Sequence, residues 1–202
     1  LLAKKLQFER VIVPSFNANE AGLVDGINVF GCSSLTEVCQ FISGRLPLDP
    51  QPLTNVDPLN EYYEVDFEHI YGQEQAKRAL VISSAGGHNL LMTGPPGSGK
   101  SMLAKALPSI LPPLTLSELL EVSQIYSISG QLPKDQQVIS VRPFRSPHHT
   151  ASYVGIVGGG VKIRPGEISL AHRGVLFLDE MAEFQHQILE ALRQPLEDQK
   201  IT

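Results

Sequence analysis

The stretch Gly94-Pro-Pro-Gly-Ser-Gly-Lys-Ser101 constrains this chain more than any other, because a glycine-rich turn closing on Lys-Ser belongs between a strand and a helix. Both flanks agree. Asn89-Leu-Leu-Met-Thr93 is a short apolar run that predicts a strand, and Lys100-Ser-Met-Leu-Ala-Lys-Ala-Leu107 has helical composition. The pattern alone arises by chance in on the order of one chain in a hundred of this length, so the flanks decide the reading. In such a loop successive backbone N–H groups converge on phosphate oxygens, and the helix N-terminus adds partial positive charge behind them. The candidate nucleotide-binding residues are Gly94, Pro95, Pro96, Gly97, Ser98, Gly99, Lys100, Ser101 and Met102. Lys100 is expected to reach the β- and γ-phosphates as a point charge, and Ser101 to give Mg2+ one hydroxyl ligand. Pro95 and Pro96 are expected to supply stiffness rather than contacts, since their fixed φ narrows the loop ensemble.

Downstream, Gly174-Val-Leu-Phe-Leu-Asp-Glu180 supplies the complementary half. Val175 to Leu178 lacks polar alternation, which predicts a parallel strand buried on both faces. Acids at its carboxyl end then emerge beside the phosphates. Asp179 is the candidate Mg2+ holder, usually through water, and Glu180 the candidate general base for an attacking water, so Glu180 and Lys100 form the candidate catalytic pair. The fold class expected is α/β, with nucleotide at the carboxyl edge of a parallel sheet.

At 202 residues and 42% hydrophobic composition, the chain can bury one large domain, or a medium domain with a smaller piece. No apolar run reaches membrane-spanning length, so no membrane partner is expected. Leu1-Leu-Ala-Lys-Lys-Leu-Gln-Phe8 has neither an initiator Met nor a cleavage site, and the chain is expected to start mid-domain. Cys32 and Cys39 lack zinc-type spacing and read as reduced thiols, which favours the cytoplasm. A net charge of -5 argues against bulk adhesion to nucleic acid or anionic lipid, while local basic patches stay open.

Two units are expected. In the first, strands at 8–14 and 27–30 enclose a helical turn at 17–24. A helix follows, with a Ser34/Glu37 capping box, Leu35, Val38, Cys39 and Ile42 on one face, and Gly44 as its stop. Residues 45–65 carry Pro47, Pro50, Pro52 and Pro58 and read as an extended linker. The second unit adds a helix at 73–84, a phosphate-loop helix shortened or kinked by Pro108, and a helix opened by Thr115 and Glu118. Arg142 to Thr150, Gly158 to Gly160 and Arg164 to Glu167 read as loops beside the site. A last helix spans 183–194, with Phe184, Ile188, Leu189 and Leu192 inward and Pro195 closing it.

Beyond the generic motifs, Gly72-Gln73, Gly87-His-Asn-Leu-Leu91, Pro143-Phe-Arg-Ser-Pro-His-His-Thr150, Gly158-Gly-Gly160, Pro165-Gly-Glu-Ile-Ser-Leu-Ala-His172 and Leu192-Arg-Gln-Pro-Leu-Glu197 form a more specific set. On these, residues 66–202 resemble the magnesium-chelatase-like branch of the AAA+ ATPases, and more closely the competence protein ComM (YifB-type) family. Residues 1–44 look like the C-terminal part of the Lon-protease-like domain that precedes the ATPase in that family. The resemblance implies a P-loop NTPase (AAA+) sheet, ATP and Mg2+ as cofactors, and hydrolysis to ADP and phosphate. It also implies a homo-oligomer, a hexameric ring, acting on DNA in branch migration or recombination of incoming DNA. In the family a sensor strand, an arginine finger and a helical lid follow the Asp-Glu strand; this sequence stops at Thr202 before them. The sensor strand lies between the two nucleotide-site strands, so a gap is expected at the centre of the sheet. Residues 1–202 alone are expected to bind nucleotide weakly and hydrolyse it negligibly.

Several features keep two readings. Arg142, Arg145, His148 and His149 form the densest basic cluster, either a DNA contact or a loop whose arginines pair with acids or line a subunit interface. His148 and His149 lack a third ligand for zinc. Gly158 to Gly160 reads as a flexible loop rather than a second phosphate cradle. Arg193 is either a surface ion pair or a group approaching a neighbouring subunit's nucleotide. For the whole, a magnesium-chelatase motor subunit and a nucleotide-gated protein adaptor are the alternatives.

Overall fold

The computed structural model describes residues 1–54, 63–132, 138–160 and 162–198. Among these, no helix is long and apolar enough to cross a membrane. The chain divides into two compact units, Leu1–Asp57 and Pro58–Thr202.

In the first unit, α1 (Leu2–Lys5) precedes β1 (Arg10–Pro14), α2 (Ala18–Ala21), β2 (Asn28–Cys32) and α3 (Leu35–Ile42). β1 and β2 pair in parallel, Val11 opposite Val29 and Val13 opposite Gly31. Ala18, Leu23, Val29, Phe30 and Cys32 form the buried core. Ser34 Oγ accepts the Glu37 N–H at 3.3 Å while the Glu37 carboxylate accepts the Ser33 N–H at 2.6 Å, so the cap expected at α3 forms one residue out of register on its return bond. The shared face of that helix is not a core face: Leu35 is 78% and Ile42 72% exposed, and Cys39 is exposed. Two strands are too narrow to cover it, and α3 docks through Phe41 on Phe30, ring centroids 4.7 Å apart. Residues 46–54 run as an extended strap across this unit. The Gln51 N–H donates to the Val29 carbonyl at 2.7 Å and the Thr54 N–H to the Gly22 carbonyl at 3.1 Å. Residues 55–62 of the expected linker lie outside the described residues.

The second unit contains α4 (Glu74–Gly86), α5 (Lys100–Ile110), α6 (Leu116–Ser129), β3 (Phe144–Arg145), α7 (Tyr153–Val157), β4 (Gly158–Gly159), β5 (Arg164–Pro165), α8 (Glu167–Leu170), β6 (Val175–Leu176) and α9 (His186–Asp198). It is a mixed α/β unit with a parallel β3–β6 pair and an antiparallel β4–β5 hairpin. Strand and helix therefore intrude where loops were expected. The prolines also act differently: α5 runs through Pro108 to Ile110, and α9 through Pro195 to Asp198. Each proline lies in the last turn of its helix, which ends two residues after Pro108 and three after Pro195. At α6 the Thr115/Glu118 capping box forms as expected, in both directions.

Two apolar clusters hold the unit. Ile70, Leu80, Leu103 and Ala106 pack with Phe67 and Met92; Ile156, Phe184 and Ile188 pack with Leu178 and Leu189. Ile188 and Leu192 are buried on α9 and Leu189 is half-buried, as expected, but the helix starts at His186 rather than 183, and Phe184 is buried just ahead of it. Val175 to Leu178 is only part-buried, which corrects the expectation of a strand covered on both faces. Asn89 to Thr93 forms no ladder with any described strand, and Leu90 and Leu91 are 43% and 76% exposed.

Charged groups, rather than further strands, fix the start of β3. The Arg145 guanidinium donates twice to the Glu167 carboxylate, at 2.6 and 2.7 Å, joining β3 to α8. Arg142 donates to the Pro112 and Arg173 carbonyls and lies 3.6 Å from Glu118 Oε2. The Thr115 N–H bond, with Arg142 and Arg173 nearby, holds the Glu118 carboxyl below its ordinary pKa. Bonds from His172 and Arg173 do the same for Glu121.

Gly174 makes the β3–β6 pair possible. A Cβ there would lie 2.8 Å from the Pro143 nitrogen and 2.9 Å from its carbonyl carbon, and the Val175 N–H donates to that same Pro143 carbonyl at 2.8 Å. Gly174→Ala is expected to destabilise the unit by about 3 kcal/mol, because backbone rather than a movable side chain must yield. A lower urea midpoint at unchanged slope is the expected reading; an unshifted midpoint would show that β3 can be displaced freely.

Candidate nucleotide site

The loop at 94–101 and the end of β6 form opposite walls of a cleft of about 900 Å³. Each wall is anchored in a different core, through Met92 on one side and Leu178 on the other. Gly97 and Gly99 take φ of +76° and +86°, a left-handed backbone that lets the chain turn into α5 without a side chain in the way. Gly94 leaves room of another kind: a Cβ there would come within 3.1 Å of Ser98 Oγ, so the serine hydroxyl would have to shift. That oxygen is buried and has no hydrogen-bond partner among the described residues. Gly94 to Gly97 are exposed, and Pro96, Ser98 and Met102 line the cleft.

Of the candidate site residues, the structure brings Ser101 and Asp179 into direct contact. Ser101 Oγ donates to Asp179 Oδ2 at 2.9 Å, across 78 positions of sequence. Asp179 Oδ1 accepts the Glu180 N–H at 3.1 Å. Lys100 Nζ donates to the Gly94 and Pro95 carbonyls, at 3.0 and 3.1 Å, so the ammonium lies back over its own loop. Pro95 also accepts the Ser98 N–H at 3.3 Å, so its role is not stiffness alone. An exposed hydroxyl and carboxylate at contact distance, beside a lysine and a helix N-terminus, form a hard-oxygen donor set that fits Mg2+ carried on a phosphate chain. No group of three or more His, Cys, Asp or Glu side chains among the described residues is placed to hold a metal by itself.

Two contacts were not legible beforehand. Gln73, at φ +58°, donates its Nε2–H to the Ser98 carbonyl at 3.4 Å and ties the start of α4 to the glycine-rich loop. Its only sequence signal is its place in the Gly72-Gln73 pair. The other is His149 Nδ1, 3.4 Å from Glu180 Oε2. The arginines of the basic cluster are engaged with acids and carbonyls, as the second of their two readings held. Arg193 pairs with Glu190 and Glu197 on its own helix, at 3.4 and 3.9 Å.

A family model described as magnesium chelatase, subunit ChlI, matches residues 66–202, which includes every residue of the cleft. The chain belongs to the magnesium-chelatase family. Within it, it is of the ComM/YifB type: it is 48% identical to YifB of Salmonella typhimurium over 191 residues, 95% of this chain and 37% of that protein. Competence protein ComM of Haemophilus influenzae is 44% identical over 207 residues, all of this chain and 40% of that protein. YifB of Escherichia coli is 46% identical over 193 residues, 95% of this chain and 37% of that protein. The chain thus spans 37% to 40% of the length of these relatives. Membership brings an AAA+-like, nucleotide-dependent function at family level.

Proposed function

We propose that this magnesium-chelatase-family chain binds and hydrolyses ATP with Mg2+, as part of a motor that moves on DNA. The observation that carries the nucleotide reading is the 2.9 Å contact between Ser101 and Asp179, beside Lys100 and a glycine loop open to solvent. Bound Mg2+ would neutralise developing charge on the phosphates. Ser101 and Asp179 hold that ion, Lys100 leaves the carbonyls of its loop for the phosphate chain, and Glu180 accepts the proton of the attacking water. Residues 1–44 end a Lon-like domain, 45–65 link it, and 66–202 open the ATPase domain of a longer cytoplasmic protein that assembles as a hexameric ring. The slot between Leu90–Met92 and Leu176–Leu178 receives the sensor strand of that domain. Residues 1–202 alone turn over ATP negligibly, because AAA+ hydrolysis draws an arginine from a neighbouring subunit.

The DNA reading rests on the likeness to ComM, a competence protein by name. Similarity to YifB and ComM extends over residues ahead of 66, where the family model begins, and this favours their type over a chelatase motor. On the surface, Lys162 and Arg164 are exposed on either side of Ile163, which is 89% exposed. The test is DNA binding by the full-length protein across a salt series. A motor on DNA is expected to lose affinity log-linearly with salt, whereas a chelatase motor is expected to show no binding at any salt.

A further inference from the structure

We infer that His149 is the residue that positions the carboxylate of Glu180. The inference rests on the reading of Glu180 as general base and adds a partner to it.

The backbone brings the two together. β3 and β6 pair with Phe144 opposite Val175 and Arg145 opposite Leu176, an offset of 31 positions. Carried four residues past the ladder, that offset sets His148 level with Asp179 and His149 level with Glu180. The side chains keep this register: His149 Nδ1 lies 3.4 Å from Glu180 Oε2. At this separation the pair is in ion-pair range without a formed hydrogen bond.

Both partners are held from behind. The His148 ring lies against that of His149, tilted by 35° with centroids 4.0 Å apart, and Phe184 meets the His149 ring edge-on at 6.5 Å. His148 is itself fixed, its Nδ1 2.9 Å from Thr150 Oγ1. Glu180 sits at φ +50°, a left-handed backbone uncommon for a residue with a Cβ, and its carbonyl accepts the Glu183 N–H at 2.8 Å. Yet its side chain is 67% exposed, against 28% for His149. An exposed carboxylate on a fixed backbone still has its own torsions free. A rigid imidazole on one oxygen removes that freedom and leaves the other oxygen to accept a proton.

The test uses the full-length protein. His149→Phe keeps a ring between His148 and Phe184 but removes the nitrogen, and is expected to lower kcat for ATP hydrolysis about tenfold with KM within about twofold. His149→Asn places an amide nitrogen near the site of Nδ1 and is expected to restore most of the rate. In a Glu180→Gln background neither change is expected to lower turnover further. His149→Phe as fast as wild type beside an inactive Glu180→Gln would overturn the positioning role alone, and so would an Asn variant no faster than Phe. A tenfold loss shared equally by nucleotide affinity would assign His149 to packing and overturn the inference as well. Full turnover in Glu180→Gln would remove the base itself, and this inference with it.

Discussion

Lys100→Ala in the full-length protein is expected to weaken ATP binding by at least about a hundredfold, the equivalent of losing about 3 kcal/mol of charge-assisted contact to phosphate. The side chain is already close: its ammonium sits on the Gly94 and Pro95 carbonyls, at 3.0 and 3.1 Å, with one of its three donors left over. Exchanging neutral carbonyls for phosphate oxygens needs only a swing of the lysine's terminal carbons. Lys100→Arg is expected to restore little, since a planar fork cannot occupy the place of a compact ammonium. Titration of a fluorescent ATP analogue by anisotropy measures both. Binding by Lys100→Ala within about threefold of wild type would mean that the loop does not cradle phosphate, and the motor and the adaptor readings would fail together.

Glu180→Gln is expected to separate those two readings. Removing a general base costs about a hundredfold to ten-thousandfold in rate while leaving most ground-state contacts in place. A motor is therefore expected to keep its affinity for ATP and lose phosphate release and DNA movement. A nucleotide-gated adaptor is expected to keep its partner binding with little change. The substitution is nearly isosteric, and the Glu180 N–H to Asp179 bond at 3.1 Å involves backbone that the change leaves alone. Phosphate release measured beside nucleotide affinity decides the matter, and unchanged release would move the base elsewhere in the cleft.

What the sequence made legible was local chemistry with a strong spacing rule. The Thr115/Glu118 cap depends on residues within a turn of one another and stands as read, and so do Ile188 and Leu192, buried on α9. Ser101 and Asp179 lie far apart in sequence but meet, a proximity that follows from the expectation that both serve one ion. Pro195 misled, since steric preference alone does not say whether a helix tolerates a proline in its final turn, and α9 runs through it to Asp198. The face of α3 misled in another way: periodicity reports which residues align, not whether anything covers them, and Leu35 and Ile42 are left bare. The β3 strand was hidden because two residues carry no alternation to detect. His149 was hidden with it, because its place beside Glu180 follows from strand register, which no window of sequence contains.

The two apolar clusters, one beneath the phosphate loop and one beneath the Asp179 turn, have a consequence for cooperativity. Among the described residues, the Ser101 hydroxyl and the Asp179 carboxylate link the loop to the turn, and heat is expected to loosen one cluster without immediately dismantling the other. A triphosphate with its ion would act as a cross-brace between them. Nucleotide should then sharpen the melting transition as well as raise its midpoint, merging two partial events into one.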